Sequence, residues 1–170
     1  MRVILASDRV SRGQREDGTA GGLRQLLEQA GYEFESAVAV PDDLAALSAA
    51  IVEAAKVVPL VLTSGGTGIA PRDVTPEATR AVIERELLGF GEAMRAASRE
   101  ATPTADLSRA TAGTLGSSLV VNLPGSPKGA VECLAAVLPS VGHGLRLLAG
   151  AVKDCALDVS STGTSSPREG

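Results

Sequence analysis

A short apolar run, Val57-Val58-Pro59-Leu60-Val61-Leu62, passes directly into Thr63-Ser64-Gly65-Gly66-Thr67-Gly68-Ile69-Ala70-Pro71-Arg72-Asp73-Val74, and the chain then signals a helix at Thr75-Pro76-Glu77. The run reads as a buried strand with a proline near its start. Thr75 suits the N-cap, Pro76 the first helical position, and Glu77 the positive end of the helix dipole. Strand, glycine-rich loop and helix in this order make the place where open α/β sheets hold anions, because loop amides and a helix N-terminus both offer unpaired N–H groups. Gly65, Gly66 and Gly68 with Ser64, Thr67 and the Arg72-Asp73 pair exceed what a tight turn requires. The loop lacks the Gly-Lys-Ser/Thr ending of a P-loop and also lacks G-x-G-x-x-G. A nucleotide here would be held mostly by backbone amides.

The rest of the chain repeats the alternation. Val3-Ile4-Leu5-Ala6 reads as a first strand ending at Ser7-Asp8-Arg9, followed by a polar loop over 11–18 and a helix over 19–30 with Gly31 behind it. A second strand is expected over 33–40, ending at Pro41-Asp42-Asp43, where Asp42 or Asp43 is the N-cap of a helix over 44–56. After the central loop the helix is expected to run over 77–88, to be interrupted by Gly89-Phe90-Gly91, and to resume over 92–100. Residues 107–113 read as a short helix leading to a turn. Residues 119–123 form another apolar strand, which enters Pro124-Gly125-Ser126-Pro127-Lys128-Gly129 and a long helix over 130–148. Two such loops at neighbouring strand ends would build one cleft, with Ser7 and Asp8 on the same side of the sheet. Lys128 opens a helix, where a cation opposes the dipole unless an anion offsets it, so it is a candidate phosphate contact. Strands alternating with helices throughout call for a mostly parallel sheet covered on both faces, a three-layer α/β/α fold.

Length and composition set the limits. A chain of 170 residues suits one domain, expected over 1–150, with a polar Ser/Thr/Gly-rich tail over 151–170 that is at least partly flexible. Only 2% of residues are aromatic and the net charge is −4; both speak against nucleic-acid binding, which needs stacking platforms and a basic surface. No run reads as a membrane span, and the start reads as a strand rather than a signal peptide. Cys133 and Cys155 have no metal-ligand spacing and read as reduced thiols of a cytoplasmic protein. His143, the single histidine, sits in a helical pattern and reads as structural or surface.

Taken together, Thr63-Ser64-Gly65-Gly66-Thr67-Gly68, Pro71-Arg72-Asp73-Val74-Thr75-Pro76-Glu77-Ala78 and Asn122-Leu123-Pro124-Gly125-Ser126-Pro127 resemble the MoaB/Mog family of molybdenum-cofactor biosynthesis. Ser7-Asp8-Arg9, Pro41-Asp42-Asp43, Gly89-Phe90-Gly91-Glu92 and Leu107-Ser108-Arg109 extend the resemblance to about Gly150. It implies a Rossmann-like doubly wound fold and a molybdopterin adenylyltransferase, in which the terminal phosphate of molybdopterin attacks the α-phosphorus of Mg-ATP and pyrophosphate leaves. It implies Asp42 and Asp73 as catalytic carboxylates and Mg²⁺ ligands, with Asp43 beside the first. It further implies nucleotide contacts at Gly65, Gly66, Thr67, Gly68, Glu92, Asn122, Pro124, Gly125 and Ser126, and substrate contacts at Ser7, Asp8, Ser64 and Arg72. Its members are trimers or hexamers, which implies a homo-oligomer. Two alternatives belong to the same resemblance: a non-catalytic molybdopterin-binding protein of MoaB type, and a CinA-like nucleotide pyrophosphatase. Retention of both aspartates favours the transferase. The Asn-Leu-Pro-Gly-Ser-Pro loop disfavours the pyrophosphatase.

Overall fold

In the computed structural model, which describes residues 1–151, the elements run β1 (Arg2–Ala6), α1 (Asp8–Ser11), α2 (Ala20–Gln29), β2 (Ser36–Val40), α3 (Leu44–Ala55) and β3 (Leu60–Ser64). They continue with α4 (Thr75–Arg80), β4 (Arg85–Glu86), α5 (Leu88–Arg99), a 3-10 turn (Pro103–Leu107), β5 (Ala112–Leu115), β6 (Ser118–Leu123) and α6 (Pro127–Leu148). Of the tail expected over 151–170, residues 152–170, Cys155 included, lie outside the described residues.

One sheet of six strands, in the order β2-β1-β3-β6-β5-β4, carries the fold. β2, β1, β3 and β6 are parallel; β5 and β4 extend the sheet antiparallel at one edge. Successive side chains of a strand face opposite ways, so each parallel strand feeds both layers. Val3, Leu5, Leu60, Leu62, Leu119, Val121 and Leu123 face α2, α5 and α6, whereas Ile4, Ala6, Val61 and Val120 face α3 and α4. α6 is long and apolar enough to cross a membrane by length and composition alone. Here Ala130, Cys133, Leu134, Val137 and Val141 are buried, and the helix packs along α2, α5 and β6.

The parallel half follows the expectation from sequence, with β3 shifted to begin after Pro59. Several local readings are settled or corrected by the structure. Ser7 caps a short helix by accepting from the Val10 amide at 3.3 Å, so the polar loop begins later than expected. Asp43 is the N-cap of α3, accepting from the Ala46 amide at 2.8 Å; Asp42 is left for other work. Thr75 is not an N-cap, since Val74 takes that place and the Thr75 hydroxyl donates to the Gly65 carbonyl at 2.8 Å.

The helix expected over 77–88 stops at Arg80, because Glu84 N and Leu87 N donate to Thr114 O and Ala112 O and draw the chain out into β4. Residues 107–113, expected as a short helix leading to a turn, instead run from the end of the 3-10 turn into β5 (Ala112–Leu115). Gly89-Phe90-Gly91 lies inside α5, where Phe90 and Met94 pack into the core.

Candidate active site

The carboxyl ends of β1, β3 and β6 are adjacent, so their following loops meet. The loop after β3 is tied across to the one after β6: Ser64 Oγ donates to Pro124 O at 2.9 Å, and Gly65 N donates to Leu123 O at 3.1 Å. Gly65 has φ +103°, and a Cβ there would stand 2.4 Å from the Ala6 carbonyl oxygen. Only glycine fits this approach.

The following peptides share one orientation. The carbonyls of Gly65 and Gly66 accept from the Thr75 hydroxyl and amide at 2.8 and 3.1 Å. Those of Thr67 and Gly68 accept from the Arg109 amide at 2.8 Å and its Nε at 2.6 Å. In a trans peptide the N–H points away from its C=O. The amides of Gly66, Thr67, Gly68 and Ile69 therefore turn to the other side, and none donates to a protein acceptor among the described residues. Consecutive unpaired amides on one concave surface form an anion nest.

Two cavities flank this nest, and Asp73 lines both. The smaller, about 240 Å³, is polar and is built from Ser7, Asp42, Ser64, Gly65, Gly66 and Gly125 together with the 15–19 segment. The larger, about 450 Å³, lies between Thr67–Ala70, α5, the 3-10 turn and the start of α6, with Met94, Leu107, Pro124 and Cys133 among its apolar walls and Ser126 at its rim. Burial raises the Cys133 thiol above its ordinary range, only partly countered by the hydrogen bond with Ser98 at 3.4 Å. That keeps it a neutral wall rather than a nucleophile.

The carboxylates are held one oxygen at a time. Asp42 Oδ2 accepts from Asp8 N at 3.1 Å, while Asp8 Oδ1 accepts from Asp42 N at 3.4 Å, locking the turns after β2 and β1 together. Asp73 Oδ2 accepts from Ala70 N at 2.8 Å. The second oxygen of Asp42 and of Asp73 has no hydrogen-bond partner among the described residues. Arg72 pairs with Asp8 rather than with its neighbour Asp73, so it bridges two loops at the surface.

The structure thus brings together Ser7, Asp42, Ser64, Gly65, Gly66, Thr67, Gly68, Asp73, Pro124, Gly125 and Ser126, with Asp8 and Arg72 just behind them. Other candidates fall elsewhere. The Asn122 amide is fully buried inside the fold, donating to Thr63 Oγ1 at 2.9 Å and Thr79 Oγ1 at 2.8 Å; it ties β6, β3 and α4 together and lines neither cavity. Lys128 points outward, its side chain 81% exposed and 3.6 Å from Glu132. Glu92 is on the exposed side of α5 and lines neither cavity. His143 lies on α6, away from both cavities.

Two residues gain importance that sequence reading did not give them. Arg109 holds the loop from behind, donating also to Asp73 O at 2.5 Å and pairing with Glu77. Burial raises the Glu77 carboxyl, but the Arg109 hydrogen bond and charge outweigh it and leave Glu77 below its ordinary value. Arg15 lines the polar cavity and has no ion pair among the described residues. The Leu107-Ser108-Arg109 motif was a signal for the first. Nothing local marked the second.

Comparison with known proteins shows the family and the fold. Residues 2–143 match the family described as "Probable molybdopterin binding domain". The chain is 40% identical over 153 residues to a molybdopterin adenylyltransferase of Helicobacter pylori, covering 87% of this chain and 86% of that one. It is 40% identical over 146 residues to the Escherichia coli molybdopterin adenylyltransferase, covering 83% and 74%. Among solved structures, the molybdopterin biosynthesis enzyme MoaB of Thermus thermophilus superposes with TM-score 0.82 at 44% identity, covering 88% and 95% of the two chains. A CinA protein of Thermoplasma acidophilum, at 22% identity and TM-score 0.63, shares the fold.

Proposed function

The chain belongs to the MoaB/Mog family of molybdenum-cofactor biosynthesis proteins, and from that membership we propose that it is a molybdopterin adenylyltransferase. An oxygen of the terminal phosphate of molybdopterin forms a bond to the α-phosphorus of ATP. The bond from that phosphorus to the bridging oxygen breaks, and pyrophosphate leaves. This chemistry needs alignment and charge stabilisation more than a covalent protein intermediate.

The observation that carries the reading is the row of unpaired amides from Gly66 to Ile69 between two cavities that share Asp73. Separate cavities seat two ligands, and their common wall is where phosphates of both can meet. The amides are fixed before any ligand arrives, so they stabilise charge on the phosphates without reorganising.

The donor set suits Mg²⁺. Among the described residues no cluster of three or more His, Cys, Asp or Glu forms a protein cage, whereas Mg²⁺ usually takes one or two carboxylates, phosphate oxygens and several waters. Asp42 and Asp73, each with one oxygen anchored and one open, are the residues to hold it; it would neutralise phosphate charge there. Ser7, whose hydroxyl accepts from Val10 N and keeps its own O–H to donate, offers a hydroxyl to the ligand in the polar cavity, while the Ser64 hydroxyl is committed to the Pro124 carbonyl. A homo-oligomer, trimeric or hexameric, and a cytoplasmic location complete the proposal on the strength of the family resemblance; sedimentation of the purified protein tests the first.

The test of the activity is pyrophosphate release from ATP and Mg²⁺ with and without molybdopterin. Release that needs molybdopterin, with adenylyl-molybdopterin detected by mass, supports the transferase. Release from nucleotides without molybdopterin would replace it with a pyrophosphatase. Molybdopterin binding without turnover would replace it with the non-catalytic alternative.

A further inference from the structure

We propose that Arg109 is a positioning residue: its guanidinium aims the last amide of the nest, that of Ile69, and the Asp73 carboxylate at the ligand phosphates without touching the ligand. The inference rests on the adenylyl-transfer reading for its kinetic arm only.

Arg109 makes a set of bonds that no other side chain in the site makes. Its Nε donates to the Gly68 carbonyl at 2.6 Å and its Nη2 to the Asp73 carbonyl at 2.5 Å, while the Thr67 carbonyl is held at 2.8 Å by the main-chain amide of residue 109, which any side chain there keeps. Its remaining arm pairs with Glu77, which anchors the guanidinium to α4. The Gly68 carbonyl belongs to the same peptide as the Ile69 amide, so pulling the oxygen one way turns the N–H the other way. Gly68 also touches Asp73: a Cβ at Gly68 would stand 2.8 Å from Asp73 Oδ2. Holding both backbones from behind therefore sets the gap in which the Asp73 carboxylate sits.

A planar fork is needed for this. Arg presents donors in fixed directions from three nitrogens, whereas a Lys ammonium carries its three donors on one nitrogen and cannot span Gly68, Asp73 and Glu77 together. The chemistry is sensitive to such placement, since a misplacement of about 1 Å costs on the order of 100-fold in rate.

The test uses the full chain with Arg109→Ala and Arg109→Lys. Folding is checked by circular dichroism and melting, and inorganic pyrophosphate serves as the anion probe by calorimetry. The expected result is a fall of about 100-fold in kcat/KM for molybdopterin-dependent turnover in either folded variant. Pyrophosphate affinity falls alongside, by about tenfold. Added guanidinium ion at low millimolar concentration restores part of both in Arg109→Ala and neither in the wild type, which a merely structural loss would not show. Should Arg109→Ala fail to fold, Arg109→Lys decides, because it keeps the charge. A folded variant with wild-type pyrophosphate affinity and kcat/KM overturns the proposal, as does a wild-type chain that binds no pyrophosphate. Wild-type protein that binds pyrophosphate but shows no molybdopterin-dependent turnover would sink the transferase reading alone; the affinity comparison would still decide the role of Arg109.

Discussion

The loops after β3 and β6 have the same plan and different physics. Each follows a buried parallel strand, is rich in Gly, Ser, Thr and Pro, and leads to a helix. In the loop after β3 every carbonyl from Gly65 to Gly68 is bonded from behind, and every amide from Gly66 to Ile69 is open among the described residues. The loop after β6 acts as a wall. Its Pro124 carbonyl is bound by Ser64, its Gly125 packs beside Gly65, and its Lys128 turns away to Glu132. Composition alone does not leave a row of amides open; that happens where main-chain and side-chain donors of Thr75 and Arg109 capture the carbonyls.

The largest effect should come from the residue that lines both cavities. Asp73→Asn is expected to lower kcat by about 100- to 1000-fold while sparing pyrophosphate binding, measured by steady-state turnover and calorimetry. Activity within a few-fold of wild type would remove Asp73 from the chemistry.

Stability should separate the loops next. Gly65→Ala places a Cβ 2.4 Å from a backbone oxygen at φ +103° and is expected to destabilise by about 3 kcal/mol or prevent folding. Gly125→Ala brings its Cβ to 3.1 Å from the Gly65 Cα and should cost about 1 kcal/mol. Denaturant melts of the two variants check the order, and equal losses would erase the distinction drawn between the loops.

Charge should separate them as well. Arg15→Ala is expected to weaken pyrophosphate binding about fivefold. Lys128→Ala should change it little and shift stability by less than about 0.5 kcal/mol, as suits an exposed pair. The reverse order in a salt-dependent binding series would return Lys128 to the site and remove Arg15.

The parallel core and its loops were legible because their signals are local. Apolar runs ending in Gly, Ser or Asp, with a capping residue before each helix, specify strand, turn and helix within a few residues of one another. β4 and β5 were hidden because Val82, Ile83 and Leu87 fall at helical spacing. Only pairing with Ala112 and Thr114 draws them into the sheet edge.

Arg109 was visible as part of a motif but not as a clamp, since it lies 41 residues from Gly68 and 36 from Asp73. Lys128 was misplaced for the opposite reason. Its local helix position suggested an anion, while the structure supplies a carboxylate one turn on. The resemblance implied a nucleotide contact at Asn122, yet the pleat of β6 sends its amide to Thr63 and Thr79.

A smaller effect is expected from acid. The folded Glu77 carboxyl lies below its ordinary value of 4.5, so the stability it contributes is fully present above that value and is lost as the pH falls through the lower folded one. The stability gap between wild type and Glu77→Gln should therefore be constant near neutrality and close below about pH 4.5, read from denaturant melts at each pH.

The most direct test is a backbone amide spectrum of the ¹⁵N-labelled chain titrated with pyrophosphate. The account predicts that the resonances of Gly66, Thr67, Gly68 and Ile69 move downfield together and saturate at one dissociation constant, with smaller shifts at Lys128 and Gly129. Shifts confined to Lys128 and Gly129, with the loop after β3 unmoved, would contradict it.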